Sequence, residues 1–285
     1  MSEAVEEYVS SLRGKSQHTK RMYKSQLDMF ETVMGTKPVK KWTFPEIMEF
    51  LDFLDDEDRS SGTVAQYTIV LRQFFEFHGR DDIAKKIKTP KITREVRSSV
   101  KSEYWMDMFE AAGFHHENGD RNQALLSVLL GTGMRVSEAV KIRGKHIDWP
   151  NERIFVPQAK GDREVYYMMV LLDEIEQYLK PWAGQKTEGY IFPGKKWNKH
   201  LTDRMARYIV RRIAVIAGVP NAEHIGPHSL RHSLAKYLLF EEEWDSMVVK
   251  EILNHKRITT TQIYVQLEEG SLELVDFVKR NRPGA

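Results

Sequence analysis

Four segments of the 285-residue chain carry side chains that could act together on a phosphodiester. They are Gly131-Thr-Gly-Met-Arg135-Val-Ser-Glu138, the turn residue Lys160, His228-Ser-Leu-Arg231-His232, and Leu253-Asn-His255 with Tyr264 nine residues later. Taken singly, each has an ordinary structural explanation. Arg135 could pair on the surface with Glu138 one helical turn on, and Lys160 could be a simple turn lysine.

The positive groups suit the charge of a phosphate. Cleavage of a phosphodiester requires stabilisation of negative charge on the non-bridging oxygens, and a planar guanidinium does this through two parallel hydrogen bonds. Arg135 and Arg231 fit that role, and His255 can donate a further hydrogen bond to the phosphate. We therefore expect these three side chains to converge on one phosphate group.

The remaining members supply a nucleophile and proton transfer. Tyr264 can attack the phosphorus, His228 can accept or orient its proton, and Lys160 can protonate the departing 5′ oxygen. A phosphotyrosyl bond conserves the energy of the broken DNA bond, so a second DNA hydroxyl can reverse the reaction without ATP. The predicted chemistry is strand transfer rather than hydrolysis.

A metal site is the main alternative use of the histidines. His228 and His232 are four residues apart, which is the spacing of a zinc-binding pair on a helix. The HExxH pattern is missing, however, and Arg231 between them would oppose a cation. The chain also has no cysteine, which excludes thiol nucleophiles and thiolate metal sites. We predict no metal and no other cofactor.

The sequence pattern predicts two mainly helical domains, whose helices and strands must position these residues. Residues 1–88 have helical periodicity, for instance in an apolar stripe that ends in Phe30 and Val33, with a helix start at Ser16 or Thr19 and a stop at Gly35. Residues 89–99 are basic and polar and form a predicted linker. Residues 100–285 form a mostly helical domain with one antiparallel hairpin. Its strands are predicted at Arg153–Pro157 and Arg163–Val170, with Lys160 in the turn.

Charge is informative locally rather than globally. The net charge is only +2, but residues 14–41 contain seven Lys or Arg against two Asp or Glu, and residues 79–101 contain eight against three. Such stretches are solvated helix faces or phosphate contacts. The candidate phosphate contacts are Lys20, Arg21, Lys24, Arg204, Arg207 and Arg211.

No segment resembles a membrane span or a signal peptide. The most apolar stretches, residues 124–130 and 165–172, are far shorter than a bilayer requires, and the amino terminus is acidic. Together with the lack of cysteine, this favours the cytoplasm and argues against a membrane partner.

The motifs resemble those of the tyrosine recombinase (phage integrase) family. Its members show G-[LM]-R-x-S-E, K-G-x-[RK]-E, H-x-x-R-H, and L-G-H followed by the tyrosine. Here these read Gly133 to Glu138, Lys160 to Glu164, His228 to His232, and Leu253 to His255 with Tyr264. Order and spacing match over nearly all of residues 100–285, and the Xer group, particularly its archaeal members, is the most similar. Asn254 replaces the usual glycine; we expect the site to survive, because asparagine also tolerates left-handed backbone.

The resemblance implies a mainly α fold, in which an N-terminal all-helical core-binding domain and a catalytic domain with a small antiparallel sheet clamp DNA. It implies Arg135, Lys160, His228, Arg231, His255 and Tyr264 as catalytic residues, with Glu138 and His232 in support. The implied partner is double-stranded DNA with a specific site, bound by a homotetramer on two paired sites, with a Holliday junction between two strand exchanges. Off DNA the chain would be a monomer or dimer.

Several alternatives remain open at this point. A type IB topoisomerase resembles the recombinases in its active-site residues, a non-catalytic DNA-binding protein could retain the fold, and a metal-dependent nuclease is a third option. Chromosome or plasmid dimer resolution is not separable from integration and excision. An apolar stripe at Leu272, Leu274, Val275 and Val278 could pack on its own domain or dock on a neighbouring protomer.

Overall fold

The computed structural model describes residues 2–57, 59–90, 98–114, 118–157, 164–184, 189–195, 198–254, 278 and 281. The chain divides into two compact units, Met1–Val96 and Arg97–Ala285. Both are mainly helical, and a small antiparallel sheet lies in the second, as the sequence predicts. No helix in the described part of the chain is both long and apolar enough to cross a membrane.

The first unit is a bundle of helices around an aromatic core. Its helices are α1 (Glu3–Ser11), α2 (Gln17–Met34), α3 (Phe44–Asp56), α4 (Ser61–Phe77) and the short α5 (Asp81–Ala84). In the core, Phe30 of α2 contacts Trp42, Phe50 and Phe75. Such edge-to-face and tilted ring pairs stabilise a core beyond the area they bury.

Helix ends in this unit follow the predicted signals. The Ser16 hydroxyl accepts a hydrogen bond from the Thr19 amide at 3.1 Å, so α2 begins after Ser16 rather than at Thr19. Gly35 ends the helix with φ +81°, a backbone conformation that suits glycine. At the start of α3, Glu46 reaches back to Thr43 and accepts hydrogen bonds from its amide at 2.9 Å and its hydroxyl at 2.7 Å.

The second unit is built around helix α7. Its helices are α6 (Trp105–Gly113), α7 (Gly119–Thr132), the short α8 (Val136–Ala139), α9 (Leu172–Glu174), α10 (Lys180–Ala183), α11 (Asp203–Ile216), α12 (Pro227–Phe240) and α13 (Ser246–Ile252). Residues 124–132 of α7 are all buried, as expected for a helix that is apolar on every side. Helices α6 and α12 pack against it.

The sheet confirms the predicted hairpin and adds a strand. Strand β2 (Arg153–Pro157) pairs antiparallel with β3 (Glu164–Met168), which ends two residues earlier than predicted. Strand β1 (Ile147–Asp148) pairs with β2 and is too short for its sequence to show a period. Beyond β3, the Val170 amide donates to the carbonyl of Gly131 at 2.8 Å, which fixes the end of the sheet to the end of α7.

Two further differences concern helices. The predicted helix from Leu172 to Trp182 contains a π-helical segment, Ile175–Leu179, between α9 and α10. The predicted turn with Lys160 and the predicted helix at 260–265 lie outside the described residues. So does the predicted helix at 271–280, apart from Val278.

The Glu46 cap gives the first unit a defined acid sensitivity. A hydrogen bond from Lys37 and, to a smaller extent, hydrogen bonds from Thr43 lower the pKa of Glu46 from 4.5 to about 2. The stabilisation is therefore complete above pH 4.5 and is lost as the pH falls towards 2. We predict that Glu46→Gln lowers the melting temperature at pH 7, and that the difference from wild type shrinks between pH 4.5 and 2.

Thermal unfolding monitored by circular dichroism at a series of pH values measures this difference. Glu49→Gln, an exposed change on the same helix, is the matched control. A difference between wild type and Glu46→Gln that stays constant over this pH range would contradict the role of the carboxylate.

Candidate active site

Arg231 joins the ends of two other helices from its place in the first turns of α12. Its Nη1 donates to the carbonyl of Gly133, which follows α7, and its Nη2 donates to the carbonyl of Leu253, which follows α13. The side chain is only 4% exposed. Carbonyls at helix ends lack partners within the helix and carry partial negative charge. Burial lowers the pKa of Arg231, but a guanidinium stays protonated at neutral pH.

Arg135 lies beside it, at the residue before α8. Its Nη2 donates to the carbonyl of Asn254 at 3.1 Å. Asn254 directly follows Leu253, whose carbonyl accepts from Arg231. Its Nη1 donates to the Tyr167 hydroxyl at 3.2 Å and lies 3.5 Å from a carboxylate oxygen of Glu138. The Arg135 side chain is 36% exposed. The two predicted phosphate-binding guanidinium groups are thus neighbours, one buried and one open to solvent.

Tyr167 belongs to this cluster and was not predicted from the sequence. Its side chain is fully buried on β3, and its hydroxyl donates to Glu138 Oε2 at 2.7 Å. Burial is the larger cause and the nearby Glu138 carboxylate the smaller cause of a raised pKa of Tyr167. The hydroxyl therefore stays neutral at physiological pH. The only sequence signal was alternation along the strand, which marks an inward position without naming its partners.

Asn254 has the left-handed backbone expected of it, with φ +50°. Its side-chain Nδ2 donates to the carbonyl of Tyr166 at 2.9 Å. A glycine at this position could not make that bond. The replacement therefore adds a contact between β3 and the end of α13, where the two arginines bind.

The histidines of α12 occupy different environments. His228 is exposed at the start of the helix, whereas His232 is half-buried, and their ring centroids are 6.2 Å apart. Among the residues that the structure describes, no three histidines or carboxylates are arranged to hold a metal ion.

A cleft of about 500 Å³ brings Arg135 and His228 together with helix α11. Arg207 and Arg211 of that helix line the cleft, so two of the predicted phosphate contacts lie at the same opening; Arg204 is exposed on α11 but does not line it. Three arginines against one carboxylate, that of Asp203, give the lining of the cleft a net positive charge, and Arg135 is the member of the arginine pair that lines it.

The other predicted residues lie in the first unit or outside the described residues. Lys20 and Arg21 lie on α2 of the first unit, and Lys24 on the same helix forms an ion pair with Glu6 at 2.5 Å. The Lys24 ammonium is therefore already partly neutralised. Lys160, His255 and Tyr264 lie outside the described residues.

Family models cover most of the chain. The model of the phage integrase family matches residues 106–270, and that of the phage integrase N-terminal SAM-like domain matches residues 4–81. Tyrosine recombinase XerC of Oceanobacillus iheyensis is 30% identical over 93% of this chain and 91% of its own length. Tyrosine recombinase XerA of Pyrococcus horikoshii is 29% identical over 93% of this chain and 90% of its own length.

Solved structures share the fold. XerH recombinase bound to a palindromic difH substrate has a TM-score of 0.68 at 21% identity, over 97% of this chain and 80% of that one. A lambda integrase tetramer bound to a Holliday junction also gives 0.68, at 18% identity, over 91% of this chain and 78% of that one.

Gly133, whose carbonyl accepts a hydrogen bond from Arg231, leaves little room for a larger residue. It has φ +63°, and a Cβ there would lie 2.5 Å from Leu253 Cδ2 and 3.2 Å from Leu234 Cδ2. We predict that Gly133→Ala lowers the free energy of unfolding by about 2–4 kcal/mol, through backbone strain and overpacking together.

Gly218→Ala is the matched control, because Gly218 has φ +68° with nothing within 4 Å of its Cβ position. Strain alone should cost about 1 kcal/mol there. Urea unfolding of both variants measures the difference, and equal losses would contradict the packing contribution at Gly133.

Proposed function

Since the chain belongs to the phage integrase family and is a tyrosine-type site-specific DNA recombinase, we propose that Arg135 and Arg231 bind the scissile phosphate while Tyr264 attacks it. One observation carries this assignment: the two arginines bind adjacent carbonyls at the end of α13, beside the cleft that contains His228. Two neighbouring guanidinium groups match the two non-bridging oxygens of a phosphodiester.

In the proposed reaction, the Tyr264 oxygen attacks phosphorus and the bond from phosphorus to the 5′ oxygen breaks. His228 accepts or orients the tyrosine proton, Lys160 gives a proton to the departing 5′ oxygen, and His255 donates a hydrogen bond to the phosphate. The product is a 3′-phosphotyrosyl bond and a free 5′ hydroxyl. A 5′ hydroxyl from the partner strand then attacks the phosphotyrosine and releases Tyr264, so the numbers of phosphodiester bonds before and after are equal.

We assign residues 1–88 to a DNA-clamping core-binding domain, 89–99 to a linker and 100–285 to the catalytic domain. The match of residues 4–81 to the family's N-terminal domain model supports this division, as does the boundary between the compact units after Val96. Glu138 and His232 support the catalytic residues in this scheme. Lys20, Arg21, Lys24, Arg204, Arg207 and Arg211 are proposed phosphate contacts.

We further propose a homotetramer on two paired sites, assembled from monomers or dimers, with two strand exchanges through a Holliday junction. The lambda integrase tetramer on a Holliday junction is a neighbour in fold. Val278, the one described residue of the C-terminal apolar stripe, is 3% exposed in the core of the second unit, which favours packing on its own protomer over docking on a neighbour. The proposed role of this reaction is dimer resolution or integration and excision, in the cytoplasm.

A nicked suicide duplex that carries the cognate site tests the nucleophile. We predict that wild type, incubated without metal, forms a covalent protein–DNA band on denaturing electrophoresis and that Tyr264→Phe forms none, because only the phenolic oxygen can make the link. Tyr67→Phe in the first unit is the control and should retain the band.

Failure of wild type to form the band on a site that it demonstrably binds would favour a non-catalytic DNA-binding protein. Persistence of the band in Tyr264→Phe would assign the nucleophile to another residue. Cleavage of the duplex without a covalent band, if a chelator abolishes it, would point to the metal-dependent nuclease.

The cleft arginines predict a change in salt dependence. Arg207→Ala and Arg211→Ala should each weaken DNA binding to a similar degree on cognate and non-cognate duplexes, since phosphate contacts carry no sequence information. Each should also reduce the slope of log Kd against log salt by about one. Fluorescence anisotropy at several salt concentrations measures both effects.

Arg212→Ala is the control, because Arg212 lies on the same helix but lines a different groove, with Phe114 and Met205. If Arg207→Ala and Arg211→Ala leave the slope as it is in wild type, these side chains do not contact phosphate.

A further inference from the structure

The pair formed by Arg135 and Glu138 is unusually loose for two groups held so close. The two residues are three apart at the start of α8, and the shortest distance between guanidinium and carboxylate is 3.5 Å. A charge-assisted hydrogen bond between such groups is typically about 2.7–2.9 Å. The Glu138 carboxylate and the Arg135 guanidinium therefore do not form a close ion pair.

The hydroxyl of Tyr167 bridges the two groups. It donates to Glu138 Oε2 at 2.7 Å and accepts from Arg135 Nη1 at 3.2 Å. A single neutral group thus contacts both Arg135 and its acidic neighbour Glu138.

Tyr167 is held rigidly enough to act as a spacer. Its ring is fully buried on β3, where Tyr167 pairs with Ile154 of β2. The neighbouring carbonyl of Tyr166 is bound by Asn254, whose own carbonyl accepts from Arg135. Strand β3 is therefore joined to the end of α13, where both arginines donate to backbone carbonyls.

We propose that Tyr167 is a positioning residue: its hydroxyl donates to the Glu138 carboxylate and accepts from Arg135, and so keeps Arg135 from closing an ion pair with Glu138. The remaining N–H groups of Arg135 are then left for the scissile phosphate. The inference rests on the proposed function of Arg135. It makes Tyr167 part of the catalytic arrangement without contact to DNA.

The physical reason lies in what Glu138 would do without the hydroxyl. Its Oε2 would retain a hydrogen bond from the Arg135 amide at 3.2 Å, and the nearest strong donor would be the Arg135 guanidinium. Because that side chain is 36% exposed and only partly fixed, it can move to close the ion pair. A guanidinium bound to a carboxylate is both displaced and partly neutralised, so it stabilises a phosphate less well.

Single-turnover cleavage of the suicide duplex tests the proposal. Tyr167→Phe should reduce the cleavage rate by about 10- to 100-fold, as expected for a displaced catalytic group, with little change in the Kd for DNA. The double variant Tyr167→Phe/Glu138→Gln should recover most of the lost rate, because the neutral amide no longer attracts Arg135. A role in folding alone predicts no such recovery, since the second substitution removes a further polar contact.

Tyr178→Phe is the matched control, because it also removes one tyrosine hydroxyl and Tyr178 stacks on Phe109 at a centroid distance of 4.6 Å. Within the described part of the chain, no hydrogen bond or ring contact joins Tyr178 to Arg135, His228 or Arg231. It should cleave at the wild-type rate. Thermal unfolding of every variant verifies that cleavage is measured on folded protein.

The outcomes separate the inference from its premise. If Arg135→Ala cleaves as fast as wild type, the proposed function of Arg135 is overturned and this inference with it. If Arg135→Ala is slow but Tyr167→Phe cleaves normally, or the double variant is no faster than Tyr167→Phe, the positioning role of Tyr167 is overturned while the function of Arg135 stands.

Discussion

The burial of the Arg231 guanidinium against two helix-terminal carbonyls is the interaction on which the site depends. A buried cation is tolerated only when its donors are satisfied, and here the carbonyls of Gly133 and Leu253 accept from it. That requirement fixes the ends of α7 and α13 relative to α12. It also places the Asn254 carbonyl where Arg135 can bind it, so one buried charge determines the position of the second arginine.

The same polar cluster connects stability to chemistry. Arg135 and Arg231 hold helix ends together through some of their N–H groups, and any donors that face the cleft can bind phosphate. Glu138 and Tyr167 complete the network without adding net positive charge. Such preorganisation is favourable for catalysis, because donors that are already fixed need little rearrangement when charge develops on a phosphate.

The sequence predicted the parts of the fold that have local signals. Helix α2 follows from its apolar stripe, from Ser16 and from Gly35, and the hairpin follows from alternation around a turn. The strand Ile147–Asp148 has too few residues to show a period, and the π-helical segment Ile175–Leu179 leaves the same apolar pattern as an α-helix. In the site, residue type and spacing predicted catalytic roles for Arg135, His228 and Arg231, and these roles stay predictions. Tyr167 was missed because its partners come from residues 29 and 32 positions away in sequence.

Arg135, the more exposed arginine of the pair, is proposed to neutralise charge on the scissile phosphate. The most direct test compares wild type with Arg135→Ala on two suicide duplexes, one with a normal scissile phosphate and one with a methylphosphonate, which lacks the non-bridging charge. On phosphate, Arg135→Ala should lose about 100-fold or more in cleavage rate. On methylphosphonate, the loss should be far smaller, because the transition state carries one negative charge fewer. An equal loss on both duplexes would show that Arg135 does not act by neutralising this charge.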